Sequence, residues 1–183
     1  MTWRLRVFSA IPPAVLRPFA LRLLLRGAAA AFEASPPPSR GLSGNDPLRA
    51  YAVFSNAQAE LLLSGRGDLD AVRHDLWTCA HRIGTGLRRC LGVRATADAM
   101  LAARAVYRML DIDLLGLPAG DVMVARCSFA RIYAPQVCMV MSSLDAGLFA
   151  GLTGGRRLTF SGRITEGAPA CLATLRPGEK VAT

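Results

Sequence analysis

The chain is poor in several residue types at once. Only 7% of its 183 residues are aromatic, it has two histidines, and a single lysine, Lys180, stands among its 22 basic residues. It has no CxxC pair and no dense His/Cys/Asp spacing, so nothing in it spells a metal site. A nucleic-acid binder interleaves its bases with aromatics or carries a reading module; neither is found, and nucleic acid is not an expected partner despite the net charge of +9. Long uncharged runs are missing too. Arg17, Arg22 and Arg26 leave only Val7–Leu16 clean, and that run contains Pro12 and Pro13, far short of the ~18 apolar residues that span a bilayer. The same prolines break up the compact apolar stretch that a secretory signal carries after its basic start.

What is present is one core's worth of apolar residues, 52% of the chain, in a length that suits about one domain. Five cysteines without a secretory signal point to free thiols in a reducing compartment, so the expected location is cytoplasmic, with membrane association as an option. That option comes from residues 1–30, which carry Arg4, Arg6, Arg17, Arg22 and Arg26 and no acid. From Pro18, read as a first helical position, Leu21, Leu24 and Leu25 share one stripe and Arg22 and Arg26 another. Residues 13–32 therefore either pack on the domain, the simpler reading, or make a peripheral contact with an anionic membrane surface.

The punctuation divides the chain into a basic amphipathic helix (1–34), a Pro/Gly/Ser linker (35–47) and an α+β domain (48–183). Helical periods run over 48–63, from an N-cap at Asp68 through Leu87, and from a cap at Thr96 to near Asp113. Gly84 and Gly86 weaken the second of these by ~1 kcal/mol each. The pattern then changes. Val122 and Val124 lead a strand into Arg126 and Cys127, Pro135 opens a helix through about Phe149 that Gly151, Gly154 and Gly155 end, and residues 157–163 and 170–175 read as two strands. The expected fold is α+β: N-terminal helices packed with a C-terminal β-α-β-β unit on a small antiparallel or mixed sheet.

His74, Cys79 and His81 imitate a metal motif, but at ~100° per residue the thiols of Cys79 and Cys90 fall on the Leu76/Ile83/Leu87 face and the imidazoles opposite. Two exposed histidines and two core cysteines is the reading. The C-terminal set is more coherent: Cys138, Ser142, Asp145 and Phe149 form one helical stripe, beside the apolar Val137, Met141, Leu144 and Leu148. With Cys127 ending one strand and Cys171 on another, three thiols can reach one pocket. Arg126 and Arg163 can lower a thiol pKa or clamp a carboxylate, and Asp145 can act as a base or ligate a metal. Buried cysteine is also simply a small hydrophobe, so core packing explains these residues equally well.

The spacing of Cys127-Ser128-Phe129-Ala130, then Cys138 with Asp145 seven on, then Thr165-Glu166-Gly167 with Cys171 four after the glycine, resembles the L-2-amino-thiazoline-4-carboxylic acid hydrolase family over about residues 122–175. Ser142 stands where that family usually has a second cysteine, and Ser128 where it often has proline. The resemblance implies hydrolytic opening of a thiazoline ring at its C–N bond by a site needing no cofactor. Cys127, Cys138, Asp145 and Cys171 would be catalytic, with Cys138 or Cys127 attacking the amidine carbon and Asp145 relaying protons. Arg126, Ser142, Arg163, Thr165 and Gly167 would bind a small-molecule substrate. A weaker resemblance to the C-terminal region of plant β-carotene isomerases implies an isoprenoid isomerase with bound iron. A non-catalytic small-molecule-binding protein is the remaining alternative, and the oligomeric state is not legible.

Overall fold

A computed structural model describes residues 1–37, 46–116 and 121–178. Residues 38–45, the greater part of the expected 35–47 linker, and residues 117–120 and 179–183 lie outside the described residues. The architecture is α+β: six α-helices and one four-stranded sheet among the described residues.

The N-terminal segment is two helices, not one. Thr2 caps α1 (Trp3–Ala10) by accepting from the Leu5 amide, and α2 (Pro13–Ala31) starts at Pro13, five residues before the expected Pro18, which lies inside the helix. The Ile11-Pro12 break bends the pair by 96°. Both helices pack on the rest of the chain: Leu5, Leu21, Ala28 and Ala31 belong to the common core.

Next come α3 (Asp46–Leu63), α4 (Leu69–Leu91) and α5 (Thr96–Met109). Asp68 caps α4 as expected, accepting from the amides of Asp70 and Ala71 at 2.9 and 3.0 Å, and Gly92 closes it at φ +66°. At α5 the expectation is corrected. Thr96 is already helical, and the start is held by Asp98, whose carboxylate accepts from the Arg94 and Ala95 amides. The helix also stops earlier than its periodicity suggests. Asp111 adopts a left-handed φ of +55°, turning the chain sharply into β1 (Ile112–Gly116), a strand whose Leu-rich sequence had looked like the tail of the helix.

The C-terminal part is β2 (Asp121–Cys127), the 3-10 turn Ser128–Arg131, α6 (Pro135–Thr153), β3 (Arg157–Gly162), the 3-10 turn Ile164–Glu166 and β4 (Cys171–Arg176). With β1 added, the expected β-α-β-β unit becomes a four-stranded sheet in the order β1-β2-β4-β3, antiparallel throughout. Val122, Val124, Leu158, Ala173 and Leu175 fill its inner face.

Helix α6 is the central member, with Val137, Phe149 and Leu152 fully buried. It is long and apolar enough to cross a bilayer, but most of it is covered by the chain itself. It passes through Gly151, the residue expected to end it, and stops at Gly154. The reason is close approach to α4. A Cβ at Gly147 would stand 2.2 Å from the Trp77 carbonyl oxygen, one at Gly84 2.4 Å from that of Leu148, and one at Gly151 2.4 Å from that of His81. These glycines are a contact surface between two backbones rather than weak points.

Candidate functional site

Between α6, the inner face of the sheet and the N-terminal helices lies a cavity of about 330 Å³. Every helix contributes to its wall, which is apolar apart from one cluster of polar groups. From α6 come Cys138, Ser142 and Asp145, the stripe expected from helical spacing. Cys127 and Cys171 enter from the end of β2 and the start of β4, and Arg163 and Thr165 from the turn after β3.

Two β-bulges decide which side chains take part. The inner face of β2 holds Val122 and Val124, so strict alternation would send Arg126 inward and Cys127 out. Leu114 pairs with Val124 but Asp113 pairs with Arg126, so Ala125 is an extra residue and the phase reverses. Cys127 lines the cavity, whereas Arg126 is exposed and engages Asp113 at 2.9 Å and Asp111 at 3.3 Å. The expectation that Arg126 binds substrate is therefore corrected. In β3, Phe160 pairs with Ala173 and Gly162 with Leu172, making Ser161 the extra residue. Leu158 and Phe160 face the cavity, and Arg163 continues their phase. Gly167, also expected at the site, instead completes the surface turn at φ +89°, with nothing near the position of a Cβ.

Asp145 is the electrostatic centre. Burial raises its pKa from the ordinary 3.8 to about 6, opposed by the hydroxyl of Tyr107, which donates a hydrogen bond to its carboxylate, and by the Arg163 guanidinium. Tyr107 is itself pushed well up by burial and then by Asp145, so it stays a donor. Sequence reasoning placed Tyr107 among the apolar residues of α5. The available signal was that a tyrosine on a buried face needs a polar partner for its hydroxyl. Tyr51 and Tyr133 also line the cavity, and Tyr133 shares a 2.6 Å hydrogen bond with buried Ser55.

The thiols are held neutral. Burial pushes Cys127 up from 9.0 to about 12, only partly offset by the amides of Phe129 and Ala130 at the head of the 3-10 turn. Cys138 is raised by burial, although the nearby Thr165 hydroxyl and Arg163 favour its thiolate, and Cys171 is raised by burial although it accepts from the Ile164 amide at 3.3 Å. Ser142, where the resemblance put a lost thiol, returns its hydroxyl to the Cys138 carbonyl at 2.7 Å.

Arg163 is fastened rather than free to swing. Nη1 donates to Glu166 Oε1 at 3.3 Å and the guanidinium lies 4.8 Å from the Phe160 ring centroid. Its Nε and the Thr165 Oγ1 are buried without a hydrogen-bond partner among the described residues. Buried polar atoms left this way cost about 1–3 kcal/mol each, and two neighbouring ones on a cavity wall fit a ligand's acceptor.

No group of three or more His, Cys, Asp or Glu side chains among the described residues is placed to hold a metal ion. The donor set does not fit the iron of the isomerase alternative. Elsewhere, His74 is exposed as expected, but His81 is half-buried and stacked on Trp77 with 4.7 Å between ring centroids, and Cys90 is exposed rather than part of the core. No known protein family, characterised protein or solved structure matches the chain.

Proposed function

We propose that this protein is an enzyme that moves a proton on a largely apolar small molecule whose polar or anionic head lies against Arg163 and Thr165. The observation that carries the reading is Asp145: a carboxyl with a pKa of about 6 in the polar cluster of a largely apolar cavity, oriented by Tyr107 and facing a fixed guanidinium. A carboxyl tuned toward neutral pH is suited to give and take a proton in one cycle. The cavity size suits a ligand larger than a single small heterocycle. In this reading the Arg163 Nε and Thr165 Oγ1 orient the head, the apolar wall excludes water, and Asp145 exchanges a proton with a carbon or heteroatom held above it, returning it in an isomerisation.

The test is a panel of medium- and long-chain carboxylic acids and isoprenoid acids set against their methyl esters. The acids are expected to raise the melting temperature more than the esters, Arg163→Gln to abolish that preference, and Asp145→Asn to keep binding. Incubation of a bound ligand in deuterated water is expected to give label exchange that Asp145→Asn removes. Binding of esters and acids alike, together with no exchange, would sink the proposal.

A second reading, ring-opening hydrolysis of a carboxylated cyclic amidine, is favoured by one observation: Cys127, Cys138 and Cys171 share the wall with Asp145 and Arg163. Here Arg163 would hold the carboxylate, and Asp145 would take the proton of the attacking thiol, needed because all three thiols are raised, and return it to the ring atom whose bond to the amidine carbon breaks; water would then cleave the adduct and restore the thiol. Release of a carbamoyl-cysteine product from 2-amino-thiazoline-4-carboxylate, lost in Cys138→Ser or Cys127→Ser, supports it; no turnover of that substrate rejects it.

A further inference from the structure

Exposed apolar side chains are concentrated at one end of the sequence. Of thirteen exposed large hydrophobic residues among the described residues, six (Met1, Trp3, Val7, Val15, Phe19 and Leu23) lie within the first 23 positions. On α2, Val15, Phe19 and Leu23 recur at i, i+4 and i+8 and are 66, 64 and 36% exposed, forming one outward stripe. Arg22 and Arg26 fall within the same arc of the helix at ~100° per residue, and neither makes an ion pair with a described residue. On α1, Trp3 and Val7 make a matching stripe beside Arg6. The first acidic residue of the chain is Glu33.

The stripe also coincides with the cavity opening. Of the described residues lining the cavity, Phe19 and Leu23 alone are exposed; the others are buried or half-buried. The entrance therefore lies along the apolar, arginine-flanked face of α2.

We infer that this face docks on an anionic lipid bilayer, with α1 and α2 lying in the headgroup region and the cavity mouth held against the membrane. The charge decides the occupant. A second copy of the chain would set Arg6, Arg22 and Arg26 of one face against the same three of the other without an acid in residues 1–32 to pair them, whereas an anionic surface attracts each of these exposed residues. Trp3 suits the interface, its large ring taking the apolar side while the indole N–H stays near water. The 96° bend and the core anchors Leu5 and Leu21 make the pair an interfacial platform rather than a spanning hairpin. This goes beyond the proposed chemistry, because docking does not depend on what Asp145 does.

The test uses the full chain with vesicles of phosphatidylcholine alone or mixed with phosphatidylglycerol, read by flotation and by Trp3 fluorescence in a Trp77→Phe background. Binding is expected only with phosphatidylglycerol, with a blue shift of Trp3 and weakening at high salt. Arg22→Gln with Arg26→Gln is expected to weaken it about thirtyfold. Val15→Asp, at a position outside the cavity wall, is expected to abolish it, while Met139→Asp on another surface and Arg163→Gln in the cavity are expected to leave it intact. Equal binding to both vesicle types, no binding, or a dimer in sedimentation that Val15→Asp dissociates would each overturn the inference.

Discussion

Replacing Asp145 by Asn exposes the energetic cost of the site. The native carboxyl titrates at about 6 when folded against an ordinary 3.8, and the cause is burial. Between those two values the folded protein keeps a proton that the unfolded chain has released, so raising the pH through this window lowers stability. The contribution is fully retained below 3.8 and fully lost above about 6. At ~1.36 kcal/mol per pH unit the whole loss is about 3 kcal/mol. Asp145→Asn, whose amide oxygen still accepts from Tyr107, removes the titration. Linkage then makes the variant more stable than the native protein by about 1 kcal/mol at pH 4.5 and about 3 kcal/mol at pH 8. The larger difference corresponds to roughly 6–12 °C in Tm for a chain of this size. Urea unfolding of both proteins at the two pH values, with unchanged m-values, measures it. A variant that folds and still binds ligand yet is no more stable, or a stability difference flat from pH 4.5 to 8, would refute the claim that a desolvated carboxylate sits in this cavity.

Other outcomes follow from the same geometry. Tyr107→Phe removes a hydrogen bond that holds the Asp145 pKa down, so the carboxyl should titrate above about 6 and the acidic limb of any pH–rate profile should move up. Gly147→Ala forces a methyl to within 2.2 Å of the Trp77 carbonyl oxygen; despite the better helix propensity of alanine it should destabilise by about 1–3 kcal/mol in chemical denaturation. The Cys127 thiolate population at neutral pH should be about a thousandfold below that of an ordinary thiol, given the rise from 9.0 to about 12, so mass-resolved alkylation should label exposed Cys90 first and Cys127 far later. Arg126→Gln should leave ligand affinity unchanged in the thermal-shift panel, because the side chain points to solvent.

Much of the scaffold follows from local rules. Asp68 caps α4 because a carboxylate in extended backbone meets two free amides, and Pro135 opens α6 because its missing N–H is not needed there. The stripe Cys138/Ser142/Asp145 follows from 3.6 residues per turn. Strand β1 is different: Ile112-Asp113-Leu114-Leu115 suits helix or strand, and the left-handed Asp111 that selects strand has no signature in a single sequence. Gly84, Gly147 and Gly151 read as breakers because their use lies in the backbone of a neighbouring helix.

That the C-terminal third carries three thiols, a carboxylate on a helical stripe with one of them, and two candidate arginines, and that the N-terminus is basic and apolar, was determined by the sequence alone. Which of them meet was decided by the tertiary structure. A single extra residue in a paired strand reverses the side-chain alternation, so the bulge at Ala125 turns Cys127 inward and Arg126 out, and that at Ser161 turns Arg163 inward. Alternation is a local property that sequence records; the place where pairing skips a residue depends on the partner strand, and that is known only once the sheet has formed.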